Sequence, residues 1–189
     1  MITLETLDRA ADGFSSVLSQ VGAEQWELPT GNEGRDVGDL VDHVIGGNRM
    51  ATAILVGGTR DDGLAQFARS AQDTDRVAAF EESRAEMAAA FAAEGAMDRI
   101  VAHPAMDMPG SQLLGFRIGE YGLHGWDLAR AIGADDTIAP DVVEALWEIL
   151  TPMAGMMAAS GMFGDGPSGS LPDDAPLQTR VLDLSGRRP

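Results

Sequence analysis

The feature that most constrains the fold is a long helical pattern over residues 111–133. One face of the pattern is apolar, and its residues recur at the three- and four-residue intervals of an α-helix. The opposite face carries Glu120, His124 and Asp127. Glycine is common just beyond the end of a helix, and Gly133 stands where the apolar repeat stops. The pattern therefore predicts a helix that ends before Gly133 and presents acidic and imidazole groups along one side.

Glu120 and His124 are spaced to share a ligand. Because side chains four positions apart on a helix lie one above the other, these two can bind one divalent cation. A stable site needs a third protein ligand from elsewhere in the chain. We expect Asp127 to orient a ligand or an arginine rather than to bind the metal directly. From spacing alone, a solvated helix face is the better-supported alternative.

One of the three histidines is placed to supply the missing ligand. His43 falls inside the apolar stripe of a second predicted helix, which begins after the suitable N-cap Asp36 and stops at Gly57-Gly58. A buried imidazole needs partners for its ring nitrogens, so His43 is either a hydrogen-bonded core residue or a metal ligand. His103 precedes Pro104 in a predicted loop, and we leave it out of the site.

The other periodic segments favour an all-α protein. Helices are predicted over residues 4–21, 73–94, 140–150 and 175–184, with Asp73 as the cap of the second of these. Its inward residues are predicted to be Val77, Phe80, Met87 and Phe91. Residues 26–34 are predicted to form a loop, and residues 97–110 a short extended or hairpin segment. We therefore expect one domain over residues 1–189, an all-α four-helix bundle with a C-terminal extension at 164–189.

Composition excludes several functions. A net charge of −17 disfavours nucleic acid and anionic membranes as partners. All 13 basic residues are arginines, which excludes a lysine Schiff base, and without cysteine any thiol must come from outside the chain. The N-terminal residues do not resemble a signal peptide, and no apolar run approaches the roughly 18 residues of a membrane span. We expect a cytoplasmic protein.

Three short motifs in this order resemble the DinB-like superfamily: Asp39-Leu-Val-Asp-His43, Glu120-x3-His124, and His-Gly-Trp-Asp-Leu-Ala-Arg at residues 124–130. The most similar branch is that of the actinobacterial proteins related to mycothiol-dependent maleylpyruvate isomerase. The tail, which ends in Gly186-Arg-Arg-Pro189, is similar to the C-terminus common in that branch. The resemblance covers nearly the whole chain, and the arginine-only composition suits an actinobacterium.

The resemblance implies a four-helix bundle with a long crossover and a divalent metal held by His43, Glu120 and His124. Zinc is the first choice for this ligand set, with nickel, iron or manganese as alternatives. The resemblance also implies that mycothiol is the thiol cofactor. One departure is Arg35, which stands where relatives often have a tryptophan, at the mouth of the site. We expect no second domain of the kind found in the isomerase, which weakens the case for that particular reaction.

The leading functional hypothesis is a metal- and mycothiol-dependent thiol S-transferase or isomerase. A thiol on the metal would lose its proton and attack a small electrophilic substrate. We expect Arg117 and Asp127 to contribute to cofactor or substrate binding, with Arg117 holding a substrate carboxylate or, equally, forming a surface ion pair. The alternatives are a metal-dependent hydrolase and a non-catalytic metal-binding or stress-response protein. A homodimer is also expected.

Overall fold

The computed structural model describes residues 1–32, 34–70, 74–155, 166–172 and 174–188. Regular structure in these ranges is mostly helical, which confirms the all-α fold class. The helices are α1 (Leu4–Leu18), α2 (Val37–Leu55), α3 (Arg60–Ala68), α4 (Arg76–Ala92), α5 (Gly110–Ile132), α6 (Pro140–Leu150) and α7 (Leu177–Leu184). A 3₁₀ turn, Thr151–Met153, follows α6. None of the helices among the described residues is long and apolar enough to cross a membrane.

The predicted extended segment is confirmed as a small antiparallel hairpin between α4 and α5. Strand β1 (Ile100–Ala102) pairs with β2 (Asp107–Pro109), and Val101 lies opposite Met108. Both of these apolar side chains are buried. The hairpin therefore attaches to the bundle through its inward face, and it leads directly into α5.

The core forms where α1, α2, α4 and α5 pack against one another. Its centre is an aromatic cluster with one ring from each of α1, α4 and α5. The ring centroids of Phe14 and Phe80 are 4.8 Å apart, and those of Phe80 and Tyr121 are 5.7 Å apart. Such rings bury large apolar areas, so this cluster contributes strongly to stability. It covers the apolar face of α5 and leaves the other face of that helix turned toward α2.

Several helix boundaries differ from the predicted ones. Helix α1 ends at Leu18 rather than at residue 21, with Ser19 as its C-cap. Helix α4 is capped by Asp75, whose side chain accepts from the backbone N–H of Ala78; the predicted cap Asp73 lies outside the described residues. That helix ends at Ala92 rather than at residue 94. Helix α5 begins one residue before the predicted start, and α7 begins two residues after it.

Burial within α4 follows the prediction at Phe80, Met87 and Phe91, but not at Val77. The first three are buried, whereas Val77 is 39% exposed in the first turn of the helix. The Asp36 prediction is confirmed, because its side chain accepts from the backbone N–H of Asp39 at the start of α2.

Helix α3 was not predicted, and its packing explains why. It approaches α2 through Gly63, where an added side chain would come within 2.9 Å of Ile54. Gly63 is the only residue of α3 that is buried, so the helix has no apolar stripe to reveal it. The signal that could have identified it is the capping box formed by Thr59 and Asp62. Helix α3 carries Phe67 to the side of His43.

Candidate metal centre

Two neighbouring helices position the three predicted ligands. His43 lies on α2, and Glu120 and His124 lie one turn apart on α5. Helix α2 is fixed beside His43 by Arg76 of α4, which donates to both carboxylate oxygens of Asp42 at 2.8 and 2.9 Å. Because both helices are anchored by the core, the ligand side chains start from a rigid frame.

The structure brings His43, Glu120 and His124 together, so that one possible ligand atom from each lies within 4.8 Å of the others. The Nε2 atom of His43 is 3.0 Å from Oε2 of Glu120, and Nε2 of His124 is 3.4 Å from the same oxygen. The three side chains are 24%, 33% and 11% exposed, respectively. The cluster is therefore accessible from solvent but is not a freely solvated helix face.

The donor set fits a divalent cation. Two imidazole nitrogens and one carboxylate oxygen are common ligands of zinc and related metals. The second ring nitrogen of His124, Nδ1, lies 3.1 Å from Oδ2 of Asp127. If Nδ1 donates to Asp127, the Nε2 lone pair of His124 faces Glu120 and is free for a metal. Asp127 thus has the place of a carboxylate that orients a metal-binding histidine.

Charge is tightly coupled within the cluster. Burial alone would raise the pKa of Glu120, but the charge of His124 and hydrogen bonds from His124 and His43 hold it well below its usual range. Burial would lower the pKa of His124, but the carboxylates of Glu120 and Asp127 raise it. The two carboxylates therefore favour a proton on His124, just as they would favour a cation beside it.

Asp127 is held by two residues outside the predicted site, Arg187 and Asn32. Arg187 donates to Oδ1 at 2.8 Å and to Oδ2 at 2.5 Å, and Asn32 donates to Oδ2 at 2.9 Å. Burial would raise the pKa of Asp127, but the hydrogen bonds from His124 and Arg187 lower it strongly. Asp127 is therefore an anion at the junction of α5, the loop before α2, and the C-terminal segment.

Arg117 is buried, so the expected ion pair with a neighbouring acid is not at the surface, although Glu120 does lie within ion-pair distance. Its Nη2 donates to the carbonyl of Val44 at 3.1 Å and to Oδ1 of Asn48 at 2.8 Å. Its Nη1 lies 3.9 Å from Oε2 of Glu120. The guanidinium also occupies the space beside Gly47, which a side chain at that position would fill. Arg117 therefore packs against α2 with one nitrogen directed toward the ligand cluster.

Aromatic residues lie against the histidines. The ring of Phe67 meets that of His43 edge-on at 5.4 Å. His103, in the turn of the hairpin, packs in the same way on Phe116 at 5.8 Å, and its Nδ1 accepts from the backbone N–H of Ala105. His103 is not part of the ligand cluster among the described residues. Arg35 lies in the loop that supplies Asn32.

Comparison with known proteins identifies similar chains. Residues 7–129 match the model of the mycothiol maleylpyruvate isomerase N-terminal domain family, a range that contains all three candidate ligands. Uncharacterised proteins from two strains of Mycobacterium tuberculosis are 30% identical over 172 residues, which is 89% of this chain and 85% of theirs.

The fold is shared with solved structures. The crystal structure of the mycothiol-dependent maleylpyruvate isomerase superposes with a TM-score of 0.64 at 19% identity, covering 82% of this chain and 70% of that one. An alanine mutant of the same enzyme gives the same TM-score over 78% of this chain and 68% of that one. At this level of identity, the likeness establishes a common fold.

Proposed function

Because the chain belongs to the mycothiol maleylpyruvate isomerase N-terminal domain family, we propose that it is a metal- and thiol-dependent isomerase or S-transferase. The metal would be held by His43, Glu120 and His124, and the thiol would be mycothiol. The observation that carries this proposal is the approach of two Nε2 atoms to a single oxygen of Glu120, at 3.0 and 3.4 Å.

The absence of cysteine fits a reaction in which the sulfur is supplied by a cofactor. When bound, a divalent cation lowers the pKa of a nearby thiol and so favours thiolate near neutral pH. The substrate would be a small molecule with an electrophilic carbon. In an isomerisation the thiolate would add to a carbon of a conjugated double bond, whose π electrons move onto the substrate; the resulting single bond would rotate, and expulsion of the thiolate would restore the double bond. In a transfer the adduct would instead take up a proton and keep the carbon–sulfur bond.

The chain's own residues would orient the reactants. Asp127 accepts from Nδ1 of His124 and so keeps its Nε2 directed into the cluster. Phe67 limits the movement of His43 from the side of α3. Arg117 would contact a substrate carboxylate only through Nη1, since its Nη2 is engaged by α2. The proposed roles of Arg117 and Asp127 are therefore contact with substrate and orientation of a ligand.

Hydrolysis by a metal-activated water remains the second candidate, and metal binding without catalysis the third. A fourth protein ligand would favour metal binding without catalysis, because in structural metal sites protein ligands occupy all four positions. Both oxygens of Asp127 are already engaged by Arg187, and Oδ2 also by His124 and Asn32. Asp127 is thus poorly placed as a fourth ligand, which favours a site open to a thiol or water.

Metal binding is tested first, by titration and metal analysis of single variants. We expect His43→Ala, Glu120→Ala and His124→Ala each to weaken zinc affinity by at least about 100-fold, because two protein ligands remain. His103→Ala is the matched control: it removes the third histidine of the chain, which lies outside the cluster. If the three ligand variants bind zinc as the control does, the assignment of the site is wrong.

Dependence on the thiol is tested separately. We expect mycothiol to stabilise the zinc-loaded protein against thermal unfolding, by about 2.7 kcal/mol at 100 times its dissociation constant. The zinc-free protein and the Glu120→Ala variant should show no such shift. If millimolar mycothiol fails to stabilise a protein that does bind zinc, the thiol-dependent reaction is ruled out and hydrolysis or non-catalytic binding is favoured.

A further inference from the structure

Three separate segments of the chain converge on the buried carboxylate of Asp127. Its side chain is 3% exposed. His124 contacts it from the same helix, Asn32 from the loop before α2, and Arg187 from the segment after α7. The contact with Arg187 joins residues 60 positions apart and uses both nitrogens of the guanidinium fork. Such a two-point contact fixes the plane of a carboxylate and not only its charge.

From these contacts we propose that Arg187 is a positioning residue of the metal centre. This inference rests on the proposed metal site. The docked C-terminal segment holds Asp127 in place, and Asp127 in turn holds the ring of His124 in the orientation of a metal ligand. Tail docking and metal binding are then energetically coupled. Arg187 lies beyond residues 7–129, the part of the chain that matches the family model.

The guanidinium of Arg187 is itself held in place. Its Nη1 donates to Oγ of Ser185 at 3.1 Å, and its backbone N–H donates to the carbonyl of Leu182 at 2.9 Å. These bonds tie Arg187 to the last turn of α7. Its side chain is 13% exposed, so solvent competes little for the contact with Asp127.

Helix α7 is anchored to the body of the protein. Val181 and Leu182 are buried in the core, and α7 packs on α6. Gln178 bridges to the connection between α5 and α6, donating to the carbonyl of Asp136 and accepting from the N–H of Ile138. Arg187 is thus presented by a packed helix, which allows it to fix another side chain rather than follow it.

The neighbouring Arg188 provides an internal comparison. It has the same side chain one residue later, but it contacts Asp183 at 3.4 Å and the carbonyl of Gly166 at 3.0 Å. It is 49% exposed. Replacing Arg188 removes the same charge from the same tail without touching Asp127, so it separates positioning from general electrostatics.

The coupling must act in both directions. If a docked tail increases metal affinity, metal binding must stabilise the docked tail by the same factor. Amide hydrogen exchange of residues 182–188 reports on that docking without any substitution. We expect exchange in this segment of the wild-type protein to slow when zinc is added.

The variant experiment is a competition between the full-length protein and a chromophoric zinc chelator. Arg187→Gln should weaken zinc affinity by roughly 10- to 100-fold, the range found for partners of metal ligands. Arg188→Gln should change it by less than about threefold. Arg187→Lys should recover part of the loss, since lysine keeps the charge but not the fork. The visible spectrum of the cobalt-loaded protein should change with Arg187→Gln and not with Arg188→Gln, because it reports ligand geometry.

Three results would overturn the inference. Equal weakening by both arginine variants would mean that net charge, not position, is responsible. Unchanged affinity and spectrum in a folded Arg187→Gln protein, or tail exchange in the wild type that does not respond to zinc, would show that the tail is independent of the site. The proposed function would survive all three. Failure of the wild-type protein to bind zinc would instead remove the proposed function, and the inference with it.

Discussion

Two polar clusters join α2 to α5, about one helical turn apart, and they differ in how their hydrogen-bonding atoms are matched. The closed cluster consists of Asn48, Ser83, Arg117 and Tyr121. In it, Oδ1 of Asn48 accepts from Arg117 at 2.8 Å and from Tyr121 at 2.7 Å, and Nδ2 of Asn48 donates to Ser83 at 3.0 Å. Donors meet acceptors throughout, apart from Nε of Arg117, which has no partner among the described residues.

The open cluster consists of His43, Glu120 and His124. Here Nε2 of His43 and Nε2 of His124 both approach one oxygen of Glu120, at 3.0 and 3.4 Å, and each nitrogen either donates to that oxygen or offers a lone pair to a metal. An N–H on each Nε2 satisfies this arrangement, and a divalent cation bound by all three atoms would satisfy it as well. The two clusters bridge the same two helices but differ in burial: Asn48 and Arg117 are 0% and 3% exposed, whereas the side chains of His43 and Glu120 are 24% and 33% exposed. Access from solvent and two imidazole nitrogens on one carboxylate oxygen separate the candidate ligand site from the structural hydrogen-bond network.

The largest effect is expected when the closed cluster is broken. Asn48→Ala removes the shared acceptor of Arg117 and Tyr121 and leaves a buried cation with fewer partners, which should cost about 3 kcal/mol of unfolding free energy. Zinc affinity should change by less than about threefold, because no ligand is touched. Chemical unfolding and zinc titration of the same sample measure both quantities. Loss of zinc binding comparable to that of Glu120→Ala would show that the clusters are not separate.

The second largest effect is expected in the pH dependence of zinc binding at the open cluster. Below the raised pKa of His124, zinc must displace a proton, so its affinity should rise by roughly tenfold, or about 1.4 kcal/mol, per pH unit. In the metal-free protein, the raised pKa contributes stability that is fully present below the unfolded value of about 6.5 and is lost as pH rises through the folded value.

The lowered pKa values of Glu120 and Asp127 do not affect stability in the pH range where His124 titrates. Their contributions are fully present above the unfolded values of about 4 and are lost only as pH falls further. As pH rises from about 5.5 to 8.5, the unfolding free energy measured with chelator should therefore fall. The additional unfolding free energy that excess zinc provides should grow over the same range. An increment that stays constant across this range would contradict proton displacement from His124.

The smallest effect is expected from Tyr121→Phe. Burial raises the pKa of Tyr121 to about 12, so the phenol is neutral at ordinary pH and loses only its hydrogen bond to Asn48 in the variant. A loss of about 1 kcal/mol in unfolding free energy is expected. Zinc affinity should equal that of the wild type in the same titration. A tenfold change in zinc affinity would mean that the closed cluster helps to position the ligands.

The sequence predicted the open cluster because its members stand in regular helical patterns. His43 interrupts an apolar stripe, and Glu120 and His124 share a face, so periodicity and the family resemblance together identified the three as candidates. The N-cap at Asp36 was also predictable from sequence, because it depends on a hydrogen bond between residues only three positions apart. The structure then supplied what spacing does not give, which is the approach of α2 to α5.

The parts that were missed depend on contacts without a local signature. Arg187 and Asn32 reach Asp127 across 60 and 95 positions, and no spacing in the sequence connects them. The burial of Arg117 depends on the empty space beside Gly47, which is visible only once the helices are packed. Periodicity identifies which face of a helix is special, whereas the partners of that face are set by tertiary packing.

The most direct test of the metal centre is anomalous diffraction from zinc-loaded crystals, recorded on both sides of the zinc absorption edge. One strong peak is expected at roughly 2.0–2.2 Å from Nε2 of His43, Nε2 of His124 and a carboxylate oxygen of Glu120. The peak should vanish in crystals of Glu120→Ala grown in the same way. A protein that contains zinc by metal analysis but shows no peak among these three residues, or a peak elsewhere, would contradict the assignment.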